Sequence, residues 1–225
     1  VNAVVKPKTR TKRKGKPALK LVPAAPPPLE PVRLLHRGVL VQPLLDELAA
    51  HPELWNENVF RTGGAYAGSP HQRIDDIIVR FNDWKNWNGS RQDFNEEHES
   101  VWWGAYQKLP AIQPLVFDLM RWFYATRLGM VLITRIPPHT KVGRHVDKGW
   151  HAEHYLKFAV QLKAAEGQKF CYDSMKLETK AGDLYAFDNS KPHWVENPTD
   201  EERITLIICL KLESTVCLNY QWSGD

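Results

Sequence analysis

Cysteine is scarce, with only Cys171, Cys209 and Cys217 in 225 residues. Their odd number and wide spacing exclude a disulfide framework or a CxxC zinc pattern as the basis of the fold. Long apolar runs are also missing. The longest, Ile204 to Leu210, is interrupted by Thr205 and falls far short of the roughly 20 residues a helix needs to cross a bilayer. No internal repeat is present. The charged N-terminus is not followed by a continuous apolar core, so a cytoplasmic or otherwise intracellular location is expected.

Acidic residues are absent from the first 20 positions, which carry eight Lys and Arg. The rest of the chain has 22 basic against 26 acidic residues, so the net charge of +4 conceals a folded part near −4. Pro23, Pro26, Pro27, Pro28 and Pro31 follow the basic run. Residues 1–31 therefore read as a disordered arm, because such a composition buries too little apolar surface to offset its ordering entropy. Its charge suits polyanion contact through counterion release, whereas the remainder offers no comparable footprint.

Residues 32–225 read as a single domain, with a helical or irregular part over 32–129 and a β core over 130–212. Pro43 opens a short helical pattern with Leu44, Leu45 and Leu48 on one face, and Arg61 to Pro70 is a loop of small residues. His71 to Phe81 is rich in β-branched residues and predicts a strand. Asp83 to Gly104 carries Trp84, Trp87, Trp102 and Trp103 without a period, as a core-packing loop or a lid would. Ala111 to Thr126 has helical spacing. Beyond Gly129, strands are expected over 130–136, 155–162, 169–172, 183–187, 194–196 and 203–211, a density that argues for a β-sandwich or barrel.

His145 and Asp147 stand at i and i+2, so on an extended segment they project to one side and can grip one ion. His193, 48 residues after His145, supplies a third ligand. Two histidines and a carboxylate on one face leave three positions open, the arrangement that oxygen-activating iron(II) sites require. Ten residues on, Arg203 opens an apolar strand with Thr205 on its face. A buried guanidinium needs a partner, and the distal carboxylate of 2-oxoglutarate would provide a two-point one.

The order HxD, a gap near fifty, His, ten residues and Arg-x-Thr resembles the iron(II)/2-oxoglutarate dioxygenase superfamily. From Leu132 to Leu212, including the run 182–188 before Pro192-His193, the chain is similar to the aspartyl/asparaginyl β-hydroxylase group. That resemblance implies a double-stranded β-helix, a jelly-roll of cupin-like form that is mainly β with flanking helices. It also implies Fe(II), 2-oxoglutarate and O2 as the reacting set, and His145, Asp147 and His193 as metal ligands. The chain departs from the animal member of the group, which has no metal carboxylate where Asp147 stands. It departs again at Lys157, a candidate second contact to 2-oxoglutarate beside Arg203 and Thr205, which falls where the group carries an arginine.

A lone HxD pair is more often surface polarity than a site; joined to His193 and Arg203 in this order it becomes specific. His139, His151 and His154 with Glu153 offer a rival zinc set. Trp150, His151 and His154 otherwise stand where substrate contact at the pocket mouth is expected. Asn189 and Asn197 either orient His193 or form turns. The substrate classes that follow are an Asp, Asn or other side chain of a peptide or protein, a small metabolite, or a nucleobase. The remaining alternative is a metal-binding β-helix without turnover.

Overall fold

The computed structural model describes residues 30–58, 61–62 and 69–213. The basic arm at 1–29 and most of the Arg61–Pro70 loop lie outside the described residues. Pro31, at the expected end of the arm, is already fixed, since its carbonyl accepts the Asp188 N–H at 2.7 Å. No helix among the described residues is long and apolar enough to cross a membrane.

In chain order the elements are β1 (Val32–His36), α1 (Gln42–Ala50), β2 (Asp75–Asn82), α2 (Arg91–Phe94), β3 (Ser100–Trp102), α3 (Ala105–Lys108), α4 (Ile112–Trp122) and β4 (Ala125–Ile136). Then follow β5 (Thr140–His145), α5 (Trp150–His154), β6 (Leu156–Lys163), β7 (Lys169–Tyr172), β8 (Lys176–Glu178), β9 (Leu184–Phe187), β10 (His193–Asn197) and β11 (Arg203–Leu212). A seven-stranded sheet runs β1-β9-β6-β11-β4-β2-β3, and a four-stranded sheet runs β5-β10-β7-β8. Every pairing is antiparallel. The fold is a double-stranded β-helix with α1, α3 and α4 on the outer face of the larger sheet.

Side-chain alternation divides the large sheet into two environments. Phe158, Val160 and Leu162 of β6, Ile204, Leu206, Ile208 and Leu210 of β11 and Val131 and Ile133 of β4 turn to one side. There they pack against Leu44, Leu48, Ile112, Val116 and Leu119 of α1 and α4. The intervening residues Lys157, Ala159, Arg203, Thr205, Ile207, Leu132 and Thr134 face the smaller sheet across a cavity. Phe170, Tyr185 and Phe187 close its floor. The first environment is an ordinary helix-on-sheet core; the second is where polar side chains can be buried for use.

The N-terminal part is less helical than its composition suggests, because β1, β2 and β3 join the large sheet. β1 and β3 are short edge strands whose identity depends on pairing with β9 and β2 rather than on a local pattern. The strand expected from His71 begins only at Asp75, since Ser69 Oγ accepts the His71 N–H and the Ile74 N–H closes a turn on His71 O. β5 and β8 lacked a recognisable run of β formers. The tryptophan-rich stretch is mainly packing: Trp87 and Trp103 lie against the cluster of Ile78, Phe81, Phe94 and Leu132.

Asn197 does more than form a turn. Its buried side-chain amide donates to the carbonyls of Ile136, Pro137 and Glu201, while its Oδ1 accepts from the Gln168 amide at 3.0 Å and the Thr199 hydroxyl at 2.8 Å. This staple joins the ends of β4 and β10 to the start of β11 and so fixes the entry of Arg203. Asn197→Ala should lower unfolding free energy by about 1–3 kcal/mol or more, read from a denaturant midpoint at constant slope. An unchanged midpoint would show that the staple contributes nothing.

Candidate metal centre

The register of the small sheet sets His193 of β10 directly opposite His145 of β5. Their rings lie 4.4 Å apart, centroid to centroid. His145 Nδ1 is 2.7 Å from Gly143 O and His193 Nδ1 is 2.9 Å from Lys191 O, each two residues back. With Nδ1–H donated to a carbonyl, Nε2 is left as the lone-pair nitrogen, and both Nε2 atoms turn to Asp147. His145 Nε2 is 3.5 Å from Oδ1, and His193 Nε2 is 3.9 Å from Oδ2.

Asp147 follows β5 in a loop tied down by its own N–H, which donates to Asn189 O at 3.1 Å, while the Asn189 amide donates to Ala152 O. Asn189 thus holds the carboxylate's loop. Lys157, from β6, forms an ion pair with Asp147 Oδ2. Burial alone would raise the Asp147 carboxyl, but the Lys157 charge, the contact with His145, the bond from Lys157 and the nearby His193 hold it well below the usual carboxylate range. Oδ1 is left facing the His145 imidazole as an ionised ligand atom.

Deeper in the same cavity, Arg203 is 1% exposed. Nη2 donates to the Tyr185 hydroxyl at a long 3.5 Å, and Nη1 is buried without a partner among the described residues. An orphaned guanidinium nitrogen in an enclosed space is costly unless a ligand completes it. Thr205 lines the cavity beside it, its hydroxyl 3.4 Å from Gln161 Oε1, and Thr134 stands opposite on β4. The donor set fits a small dicarboxylate: a planar cation and hydroxyls at one end, and at the other imidazoles and a carboxylate suited to a divalent ion.

Trp150, His151 and His154 stand on α5, outside the cavity lining. His151 is 7% exposed, and its Nε2 accepts the Met130 N–H at 3.1 Å, closing the backbone of β4. His154 is exposed, 3.2 Å from Lys211 Nζ, and Trp150 stacks on it at 4.6 Å. His139 is engaged by Asp200 at 2.8 Å. The rival zinc set does not converge.

Sequence reasoning missed four polar cavity residues, Tyr185, Thr134, His71 and Arg61. Tyr185 and Thr134 are alternate positions of strands already recognised, so period-two counting from Phe187 and Ile136 would have found them. His71 had no such signal. It sits in the turn before β2 with its ring 4.9 Å from that of His145, edge to face. His71, His145 and Asp147 have donor atoms all within 4.8 Å of one another. Burial, with the charge of Arg61 second, pushes the His71 imidazole well below its ordinary value, so it is neutral at physiological pH. Arg61 lines the cavity as well, with Nε on Asp76 at 2.8 Å and Nη2 buried without a partner among the described residues.

An enclosed jelly-roll cavity with imidazoles and an ionised carboxylate at one end and a buried cation at the other defines a metal-dependent oxygenase. The aspartyl/asparaginyl β-hydroxylase family model matches residues 77–211, and the chain belongs to that family. It is a hydroxylase of the Fe(II)/2-oxoglutarate-dependent class, using O2 as oxidant. A search of curated proteins gave no match. Similar solved structures include a 2OG-Fe(II) oxygenase family oxidoreductase from Burkholderia pseudomallei, at 15% identity and TM-score 0.47, covering 62% of this chain and 69% of that one. A Pseudomonas putida prolyl-4-hydroxylase matches at 16% identity and TM-score 0.45, covering 81% and 92%. The viral collagen prolyl hydroxylase of Paramecium bursaria Chlorella virus-1 matches at 15% identity and TM-score 0.38, covering 49% and 75%.

Burial pushes the His151 imidazole down from 6.5 to about 3. A folded value below the unfolded one means that the neutral ring stabilises the fold above pH 6.5, and that this contribution is lost as pH falls toward 3. His151→Gln keeps an acceptor for Met130 without a titrating group, so its melting temperature should fall less than that of the wild type over this window. Parallel curves would place the His151 titration outside the folding equilibrium.

Proposed function

We propose that the chain hydroxylates an unactivated C–H bond on an Asp, Asn or other amino-acid side chain of a peptide or protein. In this reading iron is held by His145, Asp147 and His193, and the distal carboxylate of 2-oxoglutarate is held by Arg203 and Thr205. The observation that carries it is the unpartnered Nη1 of Arg203, buried in the cavity that Asp147 and the two facing imidazoles also line. Bound iron with 2-oxoglutarate and O2 would supply the oxidant and release succinate and CO2. The protein fixes which carbon meets it. Lys157 keeps one Asp147 oxygen occupied and leaves the other for the ion. Tyr185 and Thr205 set the depth of the co-substrate, and Leu132, Ile207, Phe170 and Val195 keep water from the cavity.

A peptide or protein substrate is favoured by the approach to the site. An open cleft of about 900 Å³ runs outward from His145 between the Ser69–Arg73 turn and β5, bordered by Lys141, Arg144 and Glu196. That space is open and large enough to admit a short stretch of chain about a reacting residue. The basic N-terminal arm is a separate means of polyanion contact, by charge alone.

Turnover is tested by succinate release with peptides, free amino acids and single-stranded oligonucleotides, followed by mass spectrometry for a product heavier by one oxygen. Peptides should score and oligonucleotides should not; the reverse would overturn the substrate assignment. Arg203→Ala should raise the 2-oxoglutarate requirement on the order of a hundredfold, measured by anaerobic titration of the Fe(II) form. Arg203→Lys should recover only part of this, because an ammonium lacks the planar two-point pairing. Unchanged affinity in Arg203→Ala would refute this anchor.

A further inference from the structure

We propose that Arg61 selects the substrate: its Nη2 takes the carboxylate of an acidic side chain at the metal end of the cavity, so that the residue hydroxylated is an acid rather than an amide. The inference rests on the reading of the site above and narrows its substrate class. It leaves the three open metal positions untouched, because Arg61 meets the substrate and not the ion.

The first support is where Arg61 is held. Its Nε donates to Asp76 Oδ2 at 2.8 Å. Asp76 lies opposite Thr134 in the register of β2 and β4, and Thr134 lies opposite Thr205 in that of β4 and β11. Residues directly opposite one another share a face, so Asp76 looks to the cavity side of the sheet. β2 stands two strands from β11, about 10 Å at the usual strand spacing, which anchors Arg61 on a different wall from Arg203. The Arg61 charge acts on the His71 imidazole, whose ring is 4.9 Å from that of His145. One guanidinium thus belongs to the deep end of the cavity and the other to the metal end.

The second support is what the ion pair leaves unused. A guanidinium and a carboxylate can close a fork of two bonds, yet Arg61 and Asp76 are joined by Nε alone. Asp76 Oδ1 and Arg61 Nη2 are both buried without a partner among the described residues. The Arg61 side chain is 12% exposed and lines the cavity. A buried N–H beside a cavity is satisfied by an acceptor that enters it. A carboxylate answers the cation with charge as well as a lone pair, whereas an amide oxygen offers the lone pair alone.

The third support is charge. Among the described residues of the cavity lining, Arg61, Lys157 and Arg203 are cations and Asp147 is the one carboxylate. Asp76 offsets a second cation from behind Arg61. The charges of a divalent ion and of 2-oxoglutarate cancel, so the loaded cavity keeps one positive charge in excess. An anionic side chain neutralises it on entry. An amide or alkyl chain would leave it enclosed and uncompensated, which is costly.

The test uses the full chain loaded anaerobically with Co(II) and 2-oxoglutarate, with loading read from the cobalt absorption spectrum. Two acetylated, amidated glycine heptapeptides, one with Asp and one with Asn at the centre, are then titrated in by calorimetry. The wild type should bind the Asp peptide about tenfold more tightly or better. Arg61→Gln should bring the ratio close to one, and Arg61→Lys, a cation without the fork, should keep part of the preference. The double variant Arg61→Gln, Asp76→Asn removes both members of the buried pair, so its ratio, also close to one, is free of any effect of an unpaired acid. Circular dichroism checks the fold of all three. Equal affinity for the two peptides in the wild type, failure to bind either included, overturns the proposal. So does a preference that survives in the variants while only their melting temperature falls, since Arg61 would then be a counterion to Asp76 and nothing more. A wild type that takes up neither Co(II) nor 2-oxoglutarate brings down the reading of the site and this inference with it, whereas intact loading without a peptide preference brings down the role of Arg61 alone.

Discussion

Strand β11 lies between β6 and β4 in the large sheet and must satisfy two buried environments with one sequence. Ile204, Leu206, Ile208 and Leu210 turn to the helices, where burial at about 25 cal/mol per Å² makes apolar side chains favourable. Arg203, Thr205 and Ile207 turn to the cavity. Because the side-chain period is two, a one-residue slip of β11 against β4 would drive Arg203 into the helix-facing core and expose leucine to the site. The register Thr205–Thr134 and Arg203–Ile136 is what gives the cavity its cationic end. The Asn197 and Gln168 network at the strand's entry holds that register where the cation begins.

The same constraint appears at the other end of the cavity with opposite charge. Asp147 stays ionised in a largely buried place because Lys157 reaches it from β6, with the imidazoles of His145 and His193 beside it. The resemblance raised Lys157 as a contact of the co-substrate. Here its ammonium is committed to the carboxylate, a point contact suited to a compact cation. Lys157 and Asp147 are thus coupled: the buried carboxylate has its counterion across the cavity.

The segment before β2 is the third contributor. Ser69 to Ile74 forms a turn bonded to β5 and packed into the sheet, and it carries His71 to the mouth of the cavity beside Arg61. A β core alone would leave this side open. The appended chain narrows it with an imidazole and a guanidinium, both with unsatisfied nitrogens.

Much of this was written locally. HxD at period two, a histidine at a strand start and Arg-x-Thr on an apolar run each encode a face of one strand, and such patterns survive without knowledge of the partner strand. Strands β4, β6, β7, β9, β10 and β11 and helices α1 and α4 were legible for the same reason. What the sequence could not determine is anything that depends on which strands become neighbours. The edge strands β1 and β3 are strands only because β9 and β2 pair with them, and Lys157 meets Asp147 because β6 lies across the cavity. His71 reaches His145 through a single backbone bond between segments over seventy residues apart. His151, with the same residue type and a more suggestive position, was instead spent on the backbone of Met130. Periodicity fixes the direction of a side chain within its own element; only tertiary packing decides what stands on the other side.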